Sequence, residues 1–235
     1  SQEFYNIPNL KADAIREIRG MRVHAWRGIG AGYNKFVSES FLDEVAAERG
    51  VDPLAYRLEL TKDHPRAQAV LKAVAEMSNY KKKRPGRGMG IAFSDYHDTF
   101  TAGVAEVSVD KATGKIKVHN YWIAVDPGLV VQPENAQAQV ESAIVYGLSG
   151  ALSEELSMKD GAVQQSNFND YHVMRMSDIP ELHIKIMPTD NPPTGMGEVG
   201  IPCVAPAIGN AVAQLTGKRL RHLPMSSDRV KKALA

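Results

Sequence analysis

The clearest strand pattern in the chain lies at residues 104–125, which read VAEVSVDKATGKIKVHNYWIAV. Along residues 104–109 the side chains at 105, 107 and 109 are all apolar, whereas those at 104, 106 and 108 include a glutamate and a serine. This two-residue period is typical of a strand that buries one face more than the other. Residues 110–115 have the composition of a tight turn, and a second strand-like run covers residues 116–125. The stretch therefore predicts an antiparallel β-hairpin.

Three helices are predicted before this hairpin. The first covers residues 34–49, because apolar residues recur there at helical spacing and Gly50 follows as a left-handed cap. An aspartate cap followed by Pro53 predicts a second helix that ends near Leu60. Apolar residues at helical spacing from Pro65 onward predict the third. The apolar stripe of the first, amphipathic helix consists of Val37, Phe41, Leu42, Val45 and Ala46.

Helical and strand patterns are mixed after the hairpin. Residues 133–152 return to helical spacing and are expected to pack against the hairpin. Asp160-Gly161 is typical of a hairpin turn, which would join residues 155–159 to residues 162–165. Residues 182–187 alternate as a strand.

A loop rich in proline and glycine precedes one more predicted helix. The loop spans residues 190–202, with three prolines and three glycines, and the helix spans residues 206–216 and ends at Gly217. The element order predicts an α+β fold with mixed or antiparallel sheets and packed helices. Residues 1–80 are predicted to be mainly helical and residues 81–235 to be α+β, with no linker that divides the chain.

The composition is that of an ordinary globular protein. Hydrophobic residues make up 43% of the 235 residues and the formal net charge is +1, which disfavours disorder and a dedicated nucleic-acid surface. Cys203 is the single cysteine, so the chain closes no internal disulfide and builds no cysteine-ligated iron–sulfur site. No apolar stretch is long enough to predict a membrane span. The basic run at residues 81–88 is expected to be a solvated loop, and Trp26 and Trp122 are expected in the core.

One carboxylate stands among glycines in the loop Thr194-Gly195-Met196-Gly197-Glu198-Val199-Gly200. Glycines on both sides remove side-chain bulk, so a large ligand can lie against the backbone while Glu198 points at it. The apolar residues that follow suggest partial desolvation, which raises the affinity of a carboxylate for protons. Glu198 is therefore a candidate general base, and an ordinary solvated glutamate is the alternative.

A second candidate is the glycine-rich segment at residues 26–32, directly before the first predicted helix. Backbone amides there can approach a phosphate, and Arg27 can donate two hydrogen bonds to its oxygens; a flexible turn is the alternative. A third candidate comprises Gln137 and Gln139. These residues are two positions apart on a predicted helix, so at most one of them points into a common site.

Several enzyme classes lack their motifs in this sequence. There is no Gly-x-Ser-x-Gly elbow, no phosphate-loop lysine motif and no His-x-x-x-His pair, and no residue is assigned as a metal ligand. Tyr96-His97-Asp98 has the composition of an acid–base pair. Because adjacent side chains of a loop are expected to diverge, these residues are interpreted as exposed polar groups.

Three segments, taken together, resemble one enzyme family. They are Ala25-Trp26-Arg27-Gly28, then Gln139-Val140-Glu141 with Tyr146-Gly147-Leu148, and finally residues 165–171 with Gly195-Met196-Gly197-Glu198. In this order they resemble the molybdenum-binding subunit of isoquinoline 1-oxidoreductase-type enzymes, in the xanthine dehydrogenase and aldehyde oxidase superfamily. The likeness covers nearly the whole chain, and the family's upstream Gly-Gln-Gly loop is absent. The resemblance therefore implies that residues 1–235 together form the carboxy-terminal part of such a subunit.

The chain departs from the family pattern at three places. Val199 and Gln132 stand where the family usually has proline and asparagine, and Ser142 stands where a glycine is common. These departures bear on substrate selection.

The resemblance implies a molybdenum hydroxylase that oxidises an aldehyde or an aromatic N-heterocycle with an oxygen derived from water. Glu198 is then the base that takes a proton from the hydroxyl on the molybdenum, and Gln139 hydrogen-bonds its apical oxygen. The implied cofactor is molybdenum–molybdopterin in the cytosine dinucleotide form, contacted by Trp26, Arg27, Gly28, Gly195 and Gly197. The implied partners are the remainder of the molybdenum subunit, an iron–sulfur subunit that carries the clusters, a cytochrome c electron acceptor and a small-molecule substrate.

Two other functions stay open at this stage. The fold can serve as a noncatalytic assembly domain that holds no cofactor, which the three departures from the family pattern allow. Alternatively, a nucleotide-binding module would use a turn formed by Gly28, Gly30 and Gly32. The compartment is not predicted, because a bacterial periplasmic and a cytoplasmic location fit equally well.

Overall fold

A mixed β-sheet forms the centre of the fold in the computed structural model, which describes residues 4–15, 20 and 23–235. Across the sheet the strands are β1 (Gly88–Ser94), β2 (Phe100–Val109), β3 (Ile116–Asp126) and β6 (Glu181–Ile186). The first three strands are antiparallel, and β6 runs parallel to β3. A separate hairpin pairs β4 (Met158–Lys159) with β5 (Ala162–Val163). The hairpin predicted at residues 104–125 is confirmed as β2 and β3.

Six α-helices lie in the described ranges. They are α1 (Ile29–Glu48), α2 (Pro53–Leu60), α3 (Pro65–Ser78), α4 (Pro133–Leu152), α5 (Val204–Thr216) and α6 (Ser227–Leu234). Proline starts α2, α3 and α4, as predicted, because its fixed φ suits the first helical turn and its missing N–H costs nothing there. Asp52 caps α2 by accepting a hydrogen bond of 2.9 Å from the backbone N–H of Ala55. The predicted α+β fold with a mixed sheet is confirmed.

The sheet buries both of its faces. Along β2, Ala105 and Val107 belong to a core shared with α4 and α5, whereas Ala102 and Val104 belong to a second core shared with α3. This division follows from the two-residue period of a strand. Trp122 on β3 is buried in the second core, as predicted.

Two glycines of β1 allow α5 to lie directly on the strand. A Cβ at Gly88 would come within 2.1 Å of the carbonyl oxygen of Ala211, and one at Gly90 within 2.2 Å of that of Ala207. A larger residue at either position would push the helix away from the sheet. This contact matters for the site because the loop with Glu198 leads directly into α5.

The prediction for the first helix was wrong in two respects. The helix begins at Ile29, so Gly30 and Gly32 lie inside it and do not form a turn. Two members of the predicted apolar stripe face outward, with Val37 67% and Phe41 61% exposed. The buried face of α1 includes Lys35, Glu39 and Asp43 beside Phe36 and Leu42, all buried.

Ion pairing explains why charged residues of α1 are buried. Glu39 is fully buried and accepts hydrogen bonds from the hydroxyl of Tyr5 (2.7 Å), Nε of Arg57 (2.8 Å) and the backbone N–H of Phe93 (2.8 Å). A buried carboxylate is tolerated only when it is paired and hydrogen-bonded in this way. The network joins α1 to α2 and β1.

The remaining differences from the sequence predictions are local. Strand β1 and helix α6 were not predicted, and α5 begins two residues earlier than expected. The hairpin around Asp160-Gly161 is confirmed, but its strands contain two residues each. Lys81, Lys82 and Lys83 are exposed, as expected for a solvated loop. Within the described ranges, no helix combines the length and the apolar character needed to cross a bilayer.

Candidate functional site

The loop at residues 194–203 is fixed to the end of β3 and to the turn that connects β1 to β2. The backbone N–H and the hydroxyl of Thr194 donate to the carbonyl oxygen of Pro127, directly after β3, at 2.8 and 2.9 Å. The hydroxyl of Thr99 donates to the carbonyl oxygen of Gly195 at 2.5 Å, and the N–H of Gly195 donates to that of His97 at 3.2 Å. These hydrogen bonds hold the loop in one position before it enters α5.

Glu198 is the residue on which this loop converges with two other segments. Its Oε1 accepts a hydrogen bond of 2.7 Å from the hydroxyl of Tyr96 and lies 3.0 Å from Nε2 of His97. A carboxylate oxygen only accepts, so Nε2 is the donor of that second bond. Oε2 accepts a hydrogen bond of 2.7 Å from the backbone N–H of Gly28. The Glu198 side chain remains 21% exposed, so a ligand can reach it.

The pKa of Glu198 is lowered, which contradicts the expectation that its surroundings raise it. Partial burial does raise the pKa, but the hydrogen bonds from Tyr96, Gly28 and His97 stabilise the ionised form and outweigh burial. The sequence shows the apolar residues that follow Glu198, but it does not show the hydrogen-bond donors, which come from distant parts of the chain. Burial and the hydrogen bond to Glu198 raise the pKa of Tyr96 to about 12, so its hydroxyl keeps its proton at neutral pH.

Arg27 joins the three segments on which the family resemblance rests. Its Nε donates to the carbonyl oxygen of Gly197 at 2.8 Å, and its Nη1 to the hydroxyl of Ser142 at 2.8 Å. Its Nη2 donates to Oε1 of Gln139 at 2.9 Å, and the guanidinium lies 5.2 Å from the ring centre of Tyr146. The guanidinium is therefore occupied by the protein. The serine that departs from the family pattern supplies one of its acceptors.

Gly28 is the cap residue of α1 and has a backbone conformation that favours glycine. Its φ is +96°, and a Cβ would lie 3.2 Å from Cγ2 of Ile201. Its N–H is used by Glu198, while Gly30 and Gly32 are helical. The turn that a nucleotide-binding module would need is therefore not formed.

Gln139 and Gln137 are separated as predicted, since only Gln139 points toward the loop that carries Glu198. Gln137 donates to Oε1 of Glu141 at 2.9 Å, whereas Gln139 accepts from Arg27. Both are exposed. Within the described residues, the side-chain amide nitrogen of Gln139 makes no hydrogen bond to the protein, so it can donate to a ligand.

The remaining predicted site residues have different surroundings. The space that a Cβ would need at Gly195 is taken by His97, 2.6 Å away, whereas a Cβ at Gly197 would meet no atom within 4 Å. Gly197 therefore leaves room for a ligand, and Gly195 is a glycine because the turn lies against it. Trp26 is 43% exposed beside Gly150 and Tyr146, so its prediction as a core residue was wrong.

Sequence reasoning missed Tyr96 and His97. Their side chains were expected to diverge, but φ of +57° and ψ of +38° at His97 turn the chain back, and the two rings lie 4.1 Å apart. Both rings thereby reach the same oxygen of Glu198. No local pattern signals this, because Glu198 lies 101 positions from His97.

Two clefts of the described structure lie away from Glu198. One of about 900 Å³ is bordered by Lys82, Arg87 and Arg219, and one of about 700 Å³ by His119, Met174 and Arg175. Since neither includes the groups around Glu198, we identify the site by its hydrogen bonds and not by cavity size. The site is an open face of this chain.

Comparison with known proteins assigns the family. The profile described as "molybdopterin cofactor-binding domain" matches residues 42–180. The chain belongs to this family. The matched range includes Gln139, and it excludes Arg27 and Glu198.

Curated relatives in this family are much longer than the chain. The chain is 39% identical to the beta subunit of the isoquinoline 1-oxidoreductase of Brevundimonas diminuta, over 94% of the chain and 29% of that protein. It is 34% identical to a subunit of the nicotinate dehydrogenase of Pseudomonas putida, over 91% of the chain and 20% of that protein. The chain thus spans less than a third of the length of these relatives.

Solved structures share the fold. The aldehyde oxidoreductase of Desulfovibrio desulfuricans matches 90% of this chain and 41% of its own, with a TM-score of 0.75 and 16% identity. The aldehyde oxidoreductase of Desulfovibrio gigas gives a TM-score of 0.74 at 16% identity, over 89% of this chain and 41% of its own. At this identity the likeness supports the fold.

Proposed function

We propose that this chain is the cofactor-contacting part of a molybdenum hydroxylase that oxidises an aldehyde or an aromatic N-heterocycle, with Glu198 as the base. The observation that carries the proposal is the convergence of three hydrogen-bond donors on the Glu198 carboxylate, beside the Arg27–Gln139 contact. The family membership and the names of the relatives support the choice of reaction class.

The residues present fit an organic cofactor held by hydrogen bonds. Gln139 has a free amide donor, Gly197 leaves open space, and Trp26 presents part of its ring to solvent. Within the described ranges, no group of three or more His, Cys, Asp or Glu side chains is arranged to ligate a metal directly. When bound, the cofactor would supply the two-electron oxidation and the oxygen transfer. Trp26, Gln139 and Gly197 would contact it, together with the backbone around Arg27 and Gly28.

Glu198 is ionised and has a free lone pair, and a base needs both. Its lowered pKa keeps it ionised at neutral pH. Each carboxylate oxygen offers two lone pairs, and Oε2 uses one for the N–H of Gly28. The second lone pair of Oε2 is therefore the one that accepts a proton from the reacting group. Gly28 keeps the carboxylate in place during that transfer.

Further polypeptide is proposed to complete the site, namely the remainder of a molybdenum subunit. Three large apolar residues of α1, Tyr33, Val37 and Phe41, recur every four positions and are each more than 60% exposed. Such a stripe on a helix is typical of a surface that another element covers. The relatives are long enough to contain such an element, since this chain covers only 20–29% of their length.

The finer features of the complex are proposals as well. We propose the cytosine dinucleotide form of the cofactor, iron–sulfur clusters in a partner subunit and a cytochrome c acceptor. The names of the relatives, which are subunits, support the presence of partner subunits. Cys203 is fully buried in the core, so this chain offers no thiol for such a cluster. The clusters would belong to the partner.

The decisive experiment is Glu198→Gln in the purified native complex. We expect turnover to fall by at least roughly 100-fold, because the base is lost, while molybdenum per complex stays constant. Glu59→Gln, a change of the same kind at an exposed position on α2, is the matched control and keeps full turnover. Near-normal turnover of Glu198→Gln would remove Glu198 from its role. A native complex that contains this chain at full occupancy but no molybdenum would instead support the noncatalytic assembly domain.

A further inference from the structure

We infer that Tyr96 and His97 are positioning residues for Glu198, which fix the direction of its carboxylate before the cofactor and substrate are bound. The inference rests on the proposed function of Glu198. Both rings donate to Oε1, at 2.7 and 3.0 Å, while Gly28 donates to Oε2 at 2.7 Å. Three donors on two oxygens leave the carboxylate one orientation, with Oε1 saturated and Oε2 still able to accept.

The turn that carries Tyr96 and His97 is anchored independently of Glu198. Asp95 at its start forms an ion pair of 2.9 Å with Lys35 of α1, whose side chain is only 3% exposed. Thr99 at its end donates to the carbonyl oxygen of Gly195. Anchors at both ends hold the rings in place whether or not Glu198 is bonded to them. Pre-organisation of this kind is what distinguishes a positioning device from a chance contact.

The backbone of the turn is strained in a way that serves this contact. His97 and Asp98 both have positive φ, +57° and +59°, a region that residues with a Cβ adopt at a cost. A relaxed turn over the same residues would separate the two rings. The strained turn instead brings the rings of Tyr96 and His97 together, with centres 4.1 Å apart and planes tilted by 40°.

Gly195 makes the approach of the turn to the loop possible. A Cβ at this position would lie 2.6 Å from Cβ of His97, well inside contact distance. The N–H of Gly195 also donates to the carbonyl oxygen of His97 at 3.2 Å. Glycine is therefore required here so that His97 can stand beside the loop and reach Glu198. This role is distinct from contact with a cofactor.

The test compares Tyr96→Phe and His97→Leu with wild type in the purified native complex. If the two side chains position Glu198, kcat falls by roughly 10- to 100-fold in each variant, while KM stays within about twofold. Molybdenum content remains that of wild type. His97→Gln, which keeps an N–H donor, recovers part of the loss that His97→Leu causes.

Tyr171→Phe is the matched control. Tyr171 donates to Oε2 of Glu154 at 2.5 Å, so the change removes the same kind of hydrogen bond outside the site, and kcat is expected to be unchanged. Tyr96→Phe in a Glu198→Gln background should cause no additional loss, because the group that it positions is already inactive. A normal kcat in Tyr96→Phe and His97→Leu, with Glu198→Gln inactive, overturns the positioning role alone. An active Glu198→Gln overturns the proposed function itself.

Discussion

The backbone N–H of Gly28 donates a hydrogen bond of 2.7 Å to Oε2 of Glu198, although 170 positions separate the two residues. The N-terminal cap of α1 is therefore also part of the candidate site. Because Gly28 has a φ of +96°, the direction of this N–H depends on a backbone conformation that only glycine adopts readily. Gly28 thus has two roles, since it caps α1 and also donates a hydrogen bond to Glu198.

Gly28→Ala is expected to lower both stability and activity. The left-handed backbone alone costs an alanine about 1–2 kcal/mol, and the new Cβ would crowd Ile201 at 3.2 Å. Gly32→Ala is the control, because Gly32 lies inside α1 and the nearest Ile201 atom to its Cβ is at 3.9 Å. That change should leave stability constant or raise it by up to about 1 kcal/mol. Urea unfolding of both variants tests this, and equal stabilities would contradict the strain argument.

The acid limb of the pH profile of kcat/KM is expected at low pH, and its position should depend on Tyr96. Since hydrogen bonds lower the pKa of Glu198, the proposed base stays ionised to a lower pH than an ordinary glutamate. Tyr96→Phe removes one donor, so the pKa rises and the acid limb of kcat/KM moves to higher pH. Arg27 and His97 remain beside the loop in this variant. An unchanged limb in the variant would show that this hydrogen bond does not tune Glu198.

Loss of the buried pair between Glu39 and Arg57 should be strongly destabilising. Glu39→Ala removes the carboxylate that lies 2.8 Å from the buried guanidinium of Arg57 and leaves it with Asp43 at 3.5 Å, an effect expected to cost about 3–5 kcal/mol. Asp13→Ala, which breaks an exposed ion pair with Lys11, should leave stability unchanged. Chemical denaturation of both variants measures the difference. A small effect at Glu39 would mean that the network is not the basis of the buried charges on α1.

The ion pair of Asp126 and Arg66 should make stability depend on pH. Burial raises the pKa of Asp126, but the hydrogen bonds from Arg66 and from the backbone N–H of Gly128, together with the charge of Arg66, outweigh burial, and the folded-state pKa is lowered. The contribution is therefore fully present above the ordinary Asp value of about 3.9 and is lost as the pH falls through the folded value. Wild type should be more stable than Asp126→Asn at pH 7, and the gap should shrink below about pH 4. A gap independent of pH would contradict this assignment.

Cys203 should resist alkylation in the native protein. Its side chain is fully buried, and burial raises the pKa of the thiol to about 12, so almost no thiolate is present at neutral pH. We expect slow reaction with a thiol reagent in buffer and one equivalent of rapid reaction in denaturant, followed by mass spectrometry. Rapid labelling of the native protein would show that the core around α5 opens frequently.

The elements that the sequence predicted well carry their own local signals. The starts of α2, α3 and α4 were read from Pro53, Pro65 and Pro133, and the β2–β3 hairpin from a two-residue period around a turn. Strand β1 was missed because its glycines and its basic approach resemble a loop. What makes it a strand is the close packing of α5 against Gly88 and Gly90, which is a tertiary effect.

The site shows the same limit. Glu198, Gln139 and Arg27 were predicted as candidate site residues from the sequence, because glycines or a family pattern surround them. Tyr96 and His97 were not, since their contact with Glu198 depends on a strained turn and on a loop about 100 positions away. The pKa of Glu198 was predicted in the wrong direction for the same reason: its flank is local and its donors are distant.

The contacts of Arg27 have a consequence for the order of events during synthesis. Arg27 precedes its acceptors Gln139 and Gly197 in the sequence, so its guanidinium finds all of its partners only after residue 197 has left the ribosome. Domains that emerge amino terminus first can build most of a core before that point. The arrangement of Arg27, Gln139 and Gly197 is accordingly completed late in the synthesis of this segment, and a nascent polypeptide arrested between residues 139 and 197 would lack it.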